Sequence, residues 1–360
     1  MNATMPTHVL DPLAPPAPAA AINARRVQRQ PARIASLRML NHDTYELVLA
    51  TAAGSATLDA RAGQFATLEV ADIGQARAYS FARDPRSETP GEYRFYIRLV
   101  AGGAFSAWLA TQARCGADVT LTGPLGAFTL DSSSAPMLLL AGGSGMSAVK
   151  ALAEEACRRQ LARDCLFLYG ARTRADLYAE AELAALAARW SRGHRFEFIQ
   201  VLSDEAPGSP WPGARGLVSD YLRDHYLARG PWMAGQFQAW VCGPPPMVEA
   251  GVAVLRAQGV PSGDIHLDVF ADARSPAPVI DNSKCTLCDE CLLVRPVAAC
   301  IVESSGFGGR QDKGAANSIA ITPALTAGLY YNKLLIDDSR CIRCYACVKA
   351  CPHGAICTAV

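Results

Sequence analysis

Near its end the chain reads Cys341, Cys344, Cys347 and Cys351 followed by Pro352, a C-x2-C-x2-C-x3-C-P run. Thiolates at this spacing form the bacterial-type iron–sulfur run, in which three cysteines hold one cluster and the fourth reaches the other. Earlier in the chain Cys285, Cys288 and Cys291 open the same pattern, but Arg295 stands in the fourth place, before an intact Pro296. A structural zinc site uses two separated pairs of ligands rather than a tight run ending in proline. A disulfide framework belongs to small secreted chains. The runs therefore point to electron transfer. One cluster is expected on Cys285, Cys288, Cys291 and Cys351. A second is expected on Cys341, Cys344 and Cys347, with Cys300 as fourth ligand; the alternatives are a three-iron cluster or a Cys300 simply buried beside Cys357. Arginine offers only donors and is a poor ligand.

Length and composition set the frame for these runs. A chain of 360 residues, half of them hydrophobic, is long enough for two or three domains with ordinary cores. A net charge of +1 gives no reason to expect nucleic acid or a membrane surface as partner. Of the thirteen cysteines, those outside the runs, such as Cys115, Cys157 and Cys165, lie in apolar or helical surroundings and read as packing residues. No stretch approaches the roughly twenty apolar residues of a membrane helix. The Ala/Pro-rich residues 1–31 read as a disordered tail and not a signal peptide, so a cytoplasmic location is expected.

Beyond the tail three parts are expected. Residues 32–132 alternate apolar and polar positions in short runs such as Tyr45–Leu49, Phe65–Val70 and Tyr93–Val100, which predicts a small antiparallel β-barrel. Residues 133–271 change rhythm: the apolar run Met137–Ala141, a glycine turn and a helical stretch are followed by further strands and helices. That alternation predicts an α/β, doubly wound parallel sheet. After a linker at 271–278, residues 279–360 hold the cysteine runs and are expected to form a small α+β ferredoxin-like domain.

Several short motifs in the first two parts carry chemistry. Arg77-Ala78-Tyr79-Ser80 offers a guanidinium for a phosphate, a ring for packing and a hydroxyl for a hydrogen bond. Gly103-Ala104-Phe105-Ser106 opens a helix whose N–H groups suit a diphosphate. Gly142-Gly143-Ser144-Gly145 joins an apolar strand to a helix, where backbone can approach a pyrophosphate closely. Cys242-Gly243-Pro244-Pro245-Pro246 follows another strand, and Ser203-Asp204-Glu205 another.

In this order, over about residues 33 to 270, these motifs resemble the ferredoxin–NADP reductase superfamily, in its oxygenase-reductase form typified by phenol hydroxylase and benzoate dioxygenase reductases. The resemblance implies FAD (with FMN the alternative) bound through Arg77, Ala78, Tyr79, Ser80, Gly103 and Ser106. It implies NADH bound through Gly142 to Gly145, Asp204, Cys242 and Gly243. Ser80 and Cys242 are the positions it places beside the reacting rings. Asp204 stands where users of NADPH place an arginine, so NADH should be preferred. Two departures are visible: Ser147-Ala148 replaces Ala-Pro after the glycine turn, and the C-x4-C-x2-C run of plant-type ferredoxins is absent. The implied function is a reductase passing electrons from NADH through FAD and two iron–sulfur clusters to a protein acceptor, an oxygenase or hydroxylase component. A relay subunit of a hydrogenase-type or respiratory complex is the alternative, and a non-catalytic iron–sulfur sensor a further one.

Overall fold

The structure is a computed structural model that describes residues 27–74, 76–228, 237–269, 277–295, 300–304, 333–337, 340–341, 343 and 346–358. Cys344, Pro296, Phe270 and residues 1–26 of the expected tail lie outside these.

The first part is built from β1 (Gln28–Met39), β2 (Thr44–Thr51), β3 (Phe65–Glu69), β4 (Arg77–Ser80), β5 (Glu92–Arg98) and β6 (Asp118–Leu125), with helix α1 (Ala104–Thr111) between the last two. They form one antiparallel sheet in the order β4-β3-β6-β1-β2-β5. A bridge between Phe81, just past β4, and Phe95 on β5 brings the two edges together into the expected near-barrel. Alternation supplies its inside: Leu47, Leu49, Leu68, Phe95, Ile97 and Leu121 are all buried in one core with Phe105 and Trp108 of α1. The tail expected to run to residue 31 gives way to strand at Gln28, because Gln28–Arg33 pair with Gly123–Asp118 of β6.

The second part contains β7 (Met137–Gly142), α2 (Met146–Arg158), β8 (Cys165–Ala171), α3 (Glu180–Ala188), β9 (Phe196–Leu202), β10 (Ala214–Arg215), α4 (Val218–Tyr221), β11 (Gln238–Gly243), α5 (Pro245–Ala257) and β12 (Ile265–Val269). The parallel sheet runs β10-β9-β8-β7-β11-β12, the doubly wound arrangement expected. Every residue of β7 is buried, as a central strand covered by helices on both faces requires. The chain winds outward from β7 in both directions, so a crevice opens beyond its carboxyl end, where such sheets bind ligands.

The barrel and the sheet share a core. Ala62, Ala82, Tyr96, Phe128 and Leu130 of the first part pack with Val149, Leu152 and Trp240 of the second. At the same seam Lys150 of α2, 1% exposed, meets Glu154 at 2.7 Å and Glu182 of α3 at 2.6 Å. It also donates to the Ala82 carbonyl at 3.4 Å.

The cysteine-bearing part contains β13 (Pro278–Ile280), α6 (Glu290–Leu293), β14 (Ile301–Ser304), β15 (Lys333–Ile336), α7 (Ala346–Ala350) and β16 (Ile356–Thr358). β13 pairs with β16 and β14 with β15, both antiparallel. Among the described residues no helix is long and apolar enough to cross a membrane.

Candidate functional site

The first site begins on β4, an edge strand whose residues Arg77 to Ser80 pair with Leu68 to Phe65 of β3. Burial deepens toward its end: Ser80 is buried opposite Phe65, whereas Arg77 and Tyr79 are half-buried and Ala78 is exposed. The Tyr79 ring lies 5.3 Å from that of Phe105 on α1. The R-x-Y-S and G-x-x-S segments are thereby brought together. Burial pushes the Tyr79 phenol far up, so it stays protonated. Gly103 precedes α1, whose first-turn N–H groups have no partner within the helix. The Ser106 hydroxyl accepts from the Val100 N–H at 2.9 Å and so fixes the turn that presents them.

The second site is a cleft of about 350 Å³ beyond the carboxyl ends of β7, β8 and β9. That is within the roughly 300–1,000 Å³ of small-molecule sites. Gly142, Gly143 and Ser144 form its floor, with Arg172 and Ser203 on one side. The turns after β7 and β11 are in direct contact. A Cβ on Gly145 would lie 2.1 Å from the Cys242 carbonyl oxygen, so only glycine lets the two turns meet. Gly243, at φ +155°, packs on Gly142 in the same way. Cys242 is wholly buried beside the cleft, its thiol 3.9 Å from the Asp268 carboxylate of β12. Asp204 sits at the end of β9, where its carboxylate accepts from Arg172 Nε at 3.0 Å.

Four residues of this cleft, Asn41, Asp43, Arg98 and Tyr178, were not legible in the sequence. Arg98 of β5 and Asn41 and Asp43 of the β1–β2 turn reach it from the barrel. Arg98 donates to Asp43 at 2.7 Å, and Asn41 donates to the Asp176 carbonyl of the second part at 2.9 Å. His42 lies 3.7 Å from the Asp176 carboxylate. Tyr178 donates to the Gly143 carbonyl at 3.0 Å and braces the glycine turn. The only local signal was a charged residue closing the alternation of β5 and a tyrosine two places after Asp176.

In the third site Cys285, Cys288, Cys291 and Cys351 line one small cavity, roofed by Ile280 and Ile356. Burial, then the neighbouring Cys285, Cys288 and Cys351 sulfurs, push the Cys291 thiol up to about 11. The Ala355 N–H donates to Cys351 Sγ at 3.2 Å. Four converging sulfurs in an apolar pocket, one already held by a backbone N–H, fit a thiolate-bound cluster, whose charge such bonds offset. Of the other run, Cys347 is buried and Cys341 half-buried.

Three known families match parts of the chain. The oxidoreductase FAD-binding domain matches residues 31–130, the oxidoreductase NAD-binding domain residues 139–252, and the 4Fe-4S binding domain residues 333–356. The xylene/toluene monooxygenase electron transfer component of Pseudomonas putida is 40% identical over 208 residues, covering 58% of this chain and 57% of that one. The toluate 1,2-dioxygenase electron transfer component of Pseudomonas putida is 34% identical over 243 residues, 67% of each chain. The chain thus spans 57–67% of the length of these relatives. The solved ferredoxin reductase of carbazole 1,9a-dioxygenase superposes with a TM-score of 0.59 at 29% identity, covering 68% of this chain and 70% of that one. The chain belongs to the FAD- and NAD-binding oxidoreductases of the ferredoxin–NADP reductase superfamily, in its oxygenase-reductase branch, and carries a 4Fe-4S motif at its C-terminal end.

Proposed function

We propose that this chain is the reductase component of a multicomponent oxygenase, drawing electrons from NADH and delivering them to a separate oxygenase or hydroxylase protein. The observation that carries the reading is the joining of three sites in one chain: the β4–α1 surface, the cleft above β7 and the four-cysteine cavity. A bound flavin exchanges the electron pair of a hydride for single electrons, which an iron–sulfur cluster requires. The residues do the rest. Arg77 and the N–H groups of α1 hold the flavin phosphates, while Tyr79 and Ser80 orient its ring. Gly142 to Gly145 with Gly243 admit the nucleotide backbone, and Cys242 flanks the nicotinamide. Cys285, Cys288, Cys291 and Cys351 hold a four-iron cluster, and the second run holds another. We place the flavin, nucleotide and cluster parts at 32–132, 133–271 and 279–360.

Anaerobic addition of NADH to the intact, cofactor-loaded chain should bleach the flavin and then reduce cytochrome c, a one-electron acceptor. Flavin that stays oxidised under excess NADH would falsify the reading.

The same geometry argues for NADH over NADPH. Both arginines near the adenosine end are engaged: Arg172 with Asp204, and Arg215 with the carbonyls of Glu205, Ala206 and Ser209 at 3.0–3.2 Å. The Asp204 carboxylate would also repel a 2′-phosphate. The wild type should therefore favour NADH in kcat/KM. Asp204→Ala frees Arg172 and should raise the NADPH value by about tenfold, the equivalent of ~1.4 kcal/mol. Equal use of both nucleotides by the wild type would count against this assignment.

A further inference from the structure

The described residues of the cysteine-bearing part show an internal two-fold in their hydrogen bonds. The Asp281 carbonyl accepts from the N–H groups of Lys284 and Cys285, and the Asp337 carbonyl from those of Arg340 and Cys341. The Asp281–Lys284 and Asp337–Arg340 ion pairs both close at 3.3 Å. Two residues after each first cysteine, Leu287 and Arg343 have matching φ values of +55° and +54°. The strands obey the same symmetry, Ile280 facing Ile356 as Ile336 faces Ile301. Finally, the Asp281 N–H donates to the Ala355 carbonyl at 2.7 Å, and the Asp337 N–H to the Cys300 carbonyl at 2.9 Å.

This ladder makes Cys300 the counterpart of Ala355. In the half that contains Cys351, Ala355 follows that ligand by four residues and its N–H touches the ligand's sulfur at 3.2 Å. In the other half Cys300 follows Arg295 by five residues, so the connection is one residue longer. The Arg295 guanidinium, at the place of the fourth ligand, donates to the Ile301 carbonyl at 2.7 Å. A side chain with five donors and no acceptor cannot replace a thiolate. Cys300 itself is 8% exposed and packs in the same core as Cys347, 9% exposed. Its backbone shares Asp337 with Cys341.

We propose that Cys300 supplies the fourth thiolate of the second cluster from five residues beyond the usual place, which Arg295 occupies, and that Arg295 is a positioning residue that braces strand β14 so that Cys300 can reach. The proposal rests on the reading of two cluster sites in this chain, and on the sequence for Cys344, which lies outside the described residues. It changes the expected chemistry of the second site: a complete cube with four thiolates, not a three-iron cluster with an open corner.

Iron content and paramagnetic resonance of the whole chain, loaded and purified without oxygen, test this. The wild type should hold about eight irons, two cubes of four. Cys300→Ala should fall to about seven and show the signal of a three-iron cluster when oxidised. Arg295→Cys combined with Cys300→Ala should restore the lost iron, because it returns a thiolate to the ordinary place. Cys300→Val fills the core volume, and the first cluster's signal in each variant reports that the part is folded. A three-iron signal in the wild type overturns the proposal. So do unchanged iron and spectra in Cys300→Ala, or a double variant that stays at seven. Bleaching of the flavin by NADH is scored separately in every sample, so failure of the electron-path reading leaves the iron result standing.

Discussion

Lys150→Met will cost the folded protein about 3 kcal/mol, the low end for a broken buried pair, because it removes the buried cation from Glu154 and Glu182 and leaves Arg83, 3.7 Å from Glu154, as the remaining counter-charge there. The lysine is 1% exposed, bonds Glu154 and Glu182 at 2.7 and 2.6 Å, and stands 5.5 Å above the Tyr96 ring. Tyr96 in turn donates to Glu182 at 3.0 Å, so the loss reaches β5. Denaturant midpoints of the cofactor-free chain measure it, and a change below about 1 kcal/mol, the range of exposed pairs, would show the network to be loosely solvated. The pH dependence follows from the same groups. Burial pulls the Lys150 ammonium down, but Tyr96, Glu154 and Glu182 carry it net above the ordinary lysine value of 10.5. Its contribution is therefore complete below about 10.5 and is lost as the pH climbs beyond. Burial pushes Glu182 up, yet Lys150 and Tyr96 bring it net below 4.5, so its contribution holds above that pH and fades as the pH falls. Wild-type stability should form a plateau between these limits, and Lys150→Met should lose the alkaline arm.

Arg77→Ala should weaken flavin binding ten- to a hundredfold, the worth of a charge-assisted contact to phosphate of about 1.5–3 kcal/mol. Arg77 is half-buried on an edge strand, where its guanidinium also donates to the Ala76 carbonyl at 3.0 Å. The bound flavin fraction after gel filtration and a fluorescence titration give the number. Cofactor-free stability separates binding from folding: it should move by less than about 0.5 kcal/mol, as for a surface change. Full retention of flavin by the variant would remove Arg77 from the site.

What could be read from the sequence was what is local. The apolar run that became β7 and the alternations that became β2, β3 and β5 carry their own period, and strand placement followed within a residue or two. Strand β1 did not announce itself. Its start, Gln28-Arg29-Gln30-Pro31, is polar and continues an Ala/Pro-rich stretch, and only pairing with β6 makes it a strand. The glycine turns and cysteine runs were legible because spacing alone limits what they can do. Arg98, Asn41 and Asp43 were not, since their place in the cleft arises only when barrel and sheet meet. The equivalence of Cys300 and Ala355 was hidden for a related reason. Counting from the proline of each run misses a one-residue insertion that the hydrogen-bond ladder shows directly.

The shared core between barrel and parallel sheet has a consequence for how such a chain can be rearranged. Residues of both parts complete one apolar cluster, and Lys150 at its edge also bonds the Ala82 carbonyl across the seam. Neither half can be exchanged for a foreign counterpart without leaving an open hydrophobic face. The two therefore pass through recombination as one block. The cysteine-bearing part packs a core of its own from Ile280, Ile301, Leu334 and Ile356 and meets the barrel core through Val294 beside Phe65 and Leu125, so exchanging it would uncover far less apolar surface than parting barrel from sheet.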